Sequence, residues 1–135
     1  MDCTETSHWS DNVYYFSGML IGASETYTDR AIPAVLLTLT TGALAASLRD
    51  RLLFPRNHQH LAKQTINALS HTVADAIHMV SGIGTGVALG MSCTALNADN
   101  KPDAAKYIAL TLAIVFGSCC TATLARNLAN KTNQK

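Results

Sequence analysis

His71, Asp75 and His78 form the one constellation in this 135-residue chain whose residue types and spacing could move a proton or hold a cation. Spacings of four and three put them on one face of a helix. A carboxylate beside two imidazoles can relay protons or bind a metal, and an ionisable group at membrane depth is a functional candidate by default. A plainer reading competes with this one. His71 and Asp75 then mark the edge of an apolar span, and only His78 lies inside it. His58 and His60 belong to a polar connector and read as solvated. Cys3, Cys93, Cys119 and Cys120 match no zinc pattern, and adjacent cysteines are poorly placed to chelate one ion together. They read as small apolar helix residues. No set of residues specifies a reaction, so the expectation is a non-catalytic protein with no metal and no cofactor.

A second constellation is structural. "SGIGTGVALG", Ser81 to Gly90, holds four glycines inside an apolar run. A phosphate-cradling loop needs a preceding strand, and a dinucleotide fingerprint needs glycine or alanine where Leu89 stands. No Walker lysine follows. A flexible linker would be polar, yet Val80, Ile83, Val87 and Met91 punctuate these glycines. Gly82, Gly86 and Gly90 recur every four residues, and Ala74, His78 and Thr94 extend the row. Gly18 and Gly22 repeat the spacing, as do Gly42 and Ala46. Such a bare face, a glycine zipper, lets a second helix approach closely and gain dispersion contacts. The partner is either another helix of the same chain or a second copy.

The elements that must position these residues follow from where charge is missing. Charged residues make up 14% of the chain against about a quarter in ordinary proteins. Ala31 to Leu48 and Tyr107 to Ala125 carry none. Between Ala76 and Ala98 the ionisable side chains are His78 and Cys93 alone. Runs of this length match the roughly 20 residues that cross a bilayer core. The expected fold is all-α: a small polytopic membrane bundle with spans at 31–48, 76–96 and 107–125. A shorter apolar segment at 12–24 is re-entrant, interfacial, or the end of a helix starting near Thr6. Residues 1–11 read as a polar N-terminal segment and 126–135 as a basic tail. Because mean hydropathy is only +0.15 and the runs are rich in Ala, Thr, Gly and Ser, a soluble bundle is the competing expectation. Pro33 fits a first helical turn, Pro55 follows the end of that helix, and Asp103 is expected to cap the last helix. A loose likeness between "SHWSDNVYYFSGMLIG" and "SHTVADAIHMVSGIGTG" suggests two tandem helical hairpins, although the match needs several gaps and chance accounts for it at least as well.

Charge also sets an expected topology. Seven of the ten Lys and Arg residues fall in two segments: Arg49, Arg51, Arg56 and Lys63 after the first span, and Arg126, Lys131 and Lys135 at the end. The positive-inside rule places both in the cytoplasm. The N-terminus joins them only if 12–24 belongs to a spanning helix. The start lacks the basic region and apolar core of a signal peptide. A net charge of +1 without a basic stripe excludes a nucleic-acid footprint. The expected partners are the lipid bilayer, other membrane subunits or the chain itself. The expected location is a membrane, the bacterial inner membrane in particular.

One stretch resembles a known family. "AIHMVSGIGTGVALG" is similar to the first membrane helix of the cytochrome b anchor subunits of succinate dehydrogenase. There a histidine is followed by arginine and then Ser or Thr before glycine, near the quinone site. His78, Ser81 and Gly82 match, over about fifteen residues. Met79 stands where the arginine should be, and no histidine follows His78 to serve a haem. The resemblance implies a haem- or quinone-binding anchor subunit as an alternative to a packing or pore-forming, holin-like role. A secreted effector that inserts into host membranes is a further alternative.

Overall fold

The computed structural model describes residues 5–54 and 61–133. Cys3, Pro55, Arg56, His58, His60 and Lys135 therefore lie outside the described residues. Those described form four helices: α1 (Glu5–Tyr27), α2 (Ala31–Leu53), α3 (Leu61–Asn97) and α4 (Lys101–Asn133), with no strand among them. The helices alternate in direction, so α1 and α3 run parallel while α2 and α4 return. α1 and α3 form the centre. α4 packs its backbone against α3 alone, and α2 rests more lightly on α1 and α3.

Three elements are much longer than their apolar runs. α1 has 23 residues, about 34 Å at 1.5 Å per residue, and contains the whole of 12–24 as well as Asp11 and Glu25. A carboxylate interrupts a hydropathy count but not a helix, and Asp11 is buried against partners described below. α4 continues through the basic segment to Asn133, which makes Arg126 part of a helix rather than of a tail. α3 has 37 residues and begins well before 76. In its first turn Gln64 Nε2 donates to the Leu52 carbonyl at 2.9 Å, satisfying an otherwise open C-terminal group of α2.

Among the described residues three helices are long and apolar enough to cross a membrane: α2, α3 and residues Lys101–Leu128 of α4. The distribution of side-chain size argues for lipid and against water around them. Among the described residues the buried apolar side chains are Tyr14, Ile21, Pro33, Met79 and five alanines. Leu20, Val35, Leu39, Leu112, Phe116 and Leu124 face outward, with Phe116 74% exposed. A soluble bundle buries its Leu, Ile and Phe because burial from water stabilises it. In lipid that incentive vanishes, and small residues inside allow close helix contact instead. The soluble bundle expected as a competitor would have the opposite arrangement.

The modest hydropathy has a local explanation. Thr38, Thr40 and Thr41 of α2 donate to the carbonyls of Ala34, Leu36 and Leu37, each at 2.8 Å. Thr111, Thr121 and Thr123 of α4 donate four residues back in the same way. A hydroxyl bonded to its own helix leaves mainly a methyl group facing out, so threonine is tolerated where no water is available.

The α3–α4 turn is built from capping residues. Asp99 has φ 54°, a left-handed conformation. Asn100 N–H donates to the Ala95 carbonyl at 2.8 Å and Asp99 N–H to Leu96 at 3.0 Å, a Schellman ending for α3. Asn100 then caps α4: its Oδ1 accepts from the Asp103 backbone N–H at 3.4 Å, and its Nδ2 donates to Asp103 Oδ2 at 2.7 Å. Asp103 thus occupies the third helical position and Asn100 the cap, because the reciprocal pair satisfies more groups than Asp103 alone. Asn100→Ala is expected to lower unfolding free energy in detergent by about 1 kcal/mol. Unchanged stability would show that lipid and packing alone hold this turn.

Candidate functional site

The glycine rows meet each other. A Cβ on Gly18 would overlap the Met79 carbonyl oxygen, and one on Gly22 would overlap that of Ile83. In return, Gly82 faces the Tyr15 carbonyl and Gly86 faces that of Met19, each too close for a Cβ. Four glycines from two parallel helices thus alternate along one seam. Gly90 continues it against Thr26, whose Cβ would stand 2.8 Å from an added methyl. Such separations suit Cα–H···O contacts and dense van der Waals packing. Gly42 and Gly117 have nothing within 4 Å, and Gly84 meets Ile114 of α4 instead. With α1 in place, the Gly82–Gly86–Gly90 face is covered within the chain.

Side-chain bonds pin the seam along its length. Tyr15 Oη and Thr85 Oγ1 are 2.8 Å apart, and Tyr27 Oη donates to the Gly90 carbonyl at 3.2 Å. Ser10 Oγ donates to Asp75 Oδ1 at 3.4 Å. Each tyrosine reaches a partner of fixed height on α3, which sets the register of α1.

Beyond the seam lies a charged layer to which all four helices contribute. Arg51 of α2 donates through Nη2 to Asp75 Oδ2 at 2.9 Å and through Nη1 to Thr72 Oγ1 at 3.3 Å. Asp75 is 2% exposed. Arg126 of α4 donates to Asp11 Oδ2 on α1. Asp11 Oδ1 faces His78 Nε2 of α3 at 3.7 Å. His71 is half-buried within the fields of Arg51 and Asp75. The two carboxylates and two guanidiniums cancel, so two part-buried ion pairs tie α2 to α3 and α4 to α1.

The layer lies near one end of the apolar zone. Arg51 is about 30 Å of helix from the start of α2, and His78 about 28 Å from the end of α3. A hydrocarbon core is about 30 Å thick. Arg49, Lys63 and Lys131 occur toward this same end.

His71, Asp75 and His78 are thus brought near one layer, where Asp75 accepts from an arginine of another helix. Asp75 pairs with arginine, and His78 faces a different aspartate. Asp11, Arg51 and Arg126 escape a reading of the sequence because their partners are 24 to 115 positions away. The usable signal is that each is a lone charge at the margin of an apolar run. Among the described residues, no group of three or more His, Cys, Asp or Glu side chains could hold a metal ion. Cys93, Cys119 and Cys120 are exposed and free.

No protein-family model matches the chain, and no significant match is found among the curated proteins or the solved structures compared with it.

Proposed function

We propose that this chain is a small, non-catalytic integral membrane protein, either a subunit of a membrane complex or a pore-forming, holin-like assembly. The carrying observation is the inverted packing: glycine and alanine within, leucine, valine and phenylalanine on the outer faces of α2 and α4. In this reading the α1–α3 seam is the rigid centre, and the outer helices meet lipid or neighbouring subunits. The basic end, with the charged layer, faces the cytoplasm by the positive-inside rule. The site resides in buried ion pairs and helix contacts, which suits assembly better than turnover.

Fractionation tests the reading. After alkaline carbonate washing the protein is expected to stay with the membranes and to need detergent for release. Recovery in the aqueous fraction would refute it. Self-association has its own test, because Cys119 and Cys120 are exposed on α4. A bismaleimide should link copies within membranes at low protein loading. A monomer at every loading would leave only the role of subunit among other proteins.

A further inference from the structure

We infer that Asp11 Oδ1 and His78 Nε2 form a proton-binding site between α1 and α3, at which Arg126 of α4 competes for the same carboxylate. The two atoms are 3.7 Å apart, too far for a hydrogen bond. Their side chains are only 9% and 13% exposed. Among the described residues neither atom has a hydrogen-bond partner, and Arg126 Nε beside them has none either. Buried polar groups are nearly always satisfied, and leaving one open is costly. Three such atoms at one junction indicate a site that lacks its ligand.

The ligand must bridge a carboxylate oxygen and an imidazole nitrogen across less than 4 Å. A metal ion would need more ligands than this pair offers, and the described residues supply no third one. A proton needs only these two. Taken from water onto Nε2, it turns an acceptor into a charged donor aimed at Oδ1, and a movement of about 1 Å closes the bond. The O–H bond of a hydronium ion breaks as the Nε2–H bond forms, water is left behind, and the layer gains one positive charge.

The groups facing the pair define what this does. α3 contributes Asp75 and α4 contributes Arg126, while Arg51 of α2 and His71 lie beside Asp75. Arg51 is committed to Asp75. Arg126 shares Asp11 with His78, so a proton on His78 draws the carboxylate away from Arg126 and repels its guanidinium. The α4 backbone packs on α3 alone, and the bond from Arg126 to Asp11 ties it to α1. Proton uptake therefore weakens the tie between α4 and the α1–α3 centre. The inference stands whether or not copies of the chain assemble.

Linkage provides the test. The full chain, with isotope-labelled histidine, is placed in lipid nanodiscs and its ring signals are followed by NMR between about pH 4 and 9. H78Q identifies the resonance. Arg126→Gln should raise the His78 midpoint by about one pH unit or more, and Asp11→Asn should lower it comparably. Midpoints that stay at the wild-type value, or that move in the same direction in both variants, would overturn the inference. Should Asp11→Asn fail to fold, Arg126→Gln alone decides: an unmoved or lowered midpoint overturns it.

Discussion

Gly86→Ala is expected to destabilise the protein, while Gly42→Ala and Gly117→Ala leave stability unchanged or raise it. All three sites are helical glycines, so propensity treats them alike. What differs is the space around them. An added methyl at Gly86 overlaps the backbone of Met19 and Ala23, which no rotamer change can move. The only relief is separation of α1 from α3, which also loosens the contacts at Gly18, Gly22 and Gly82. Overpacking of this kind costs about 1–3 kcal/mol. At Gly42 and Gly117 the methyl enters open space. There the propensity gain, at most about 1 kcal/mol, is all that remains, and in lipid less of it is realised. Thermal or denaturant unfolding in one detergent compares the three variants directly. Equal stabilities would show that the seam is not tightly packed.

Arg51→Ala is expected to cost about 3–5 kcal/mol, because it strands Asp75 in a buried layer. Removing both charges should be far milder than removing the arginine alone, because well-packed apolar replacements of buried ion pairs are often neutral or stabilising. Arg51→Met with Asp75→Leu is the double variant to compare, in a double-mutant cycle with the single changes. If the double variant loses as much as Arg51→Ala, the pair serves a purpose other than mutual neutralisation.

These two variants touch features that the sequence reveals to different degrees. The four-residue glycine period is local, so Gly18, Gly22, Gly82, Gly86 and Gly90 can be picked out without coordinates. Which helix covers which is not local, and the choice between an intramolecular partner and a second copy stays open until α1 is placed on α3. The long helices are legible because charge-free runs reflect the cost of placing charge in lipid. α1 is less legible: Asp11 and Glu25 shorten its apolar run to 13 residues, although the helix has 23. The charged layer is the least legible. His71, Asp75 and His78 share a helix face, yet their neighbours Asp11, Arg51 and Arg126 arrive from three other helices. Periodicity within one helix carries no information about such partners.

The proposed reading makes α1 a fourth span beside α3, in addition to the three helices that are long and apolar enough to cross by themselves. Its most direct test is the sidedness of the two chain ends in sealed, right-side-out membrane vesicles. Short epitopes at the N- and C-termini are exposed to protease before and after lysis. Four alternating helices predict that both epitopes are protected in intact vesicles and both are lost on opening. An N-terminal epitope cleaved in intact vesicles while the C-terminal one survives would contradict the account, leaving three spans and an α1 that does not cross.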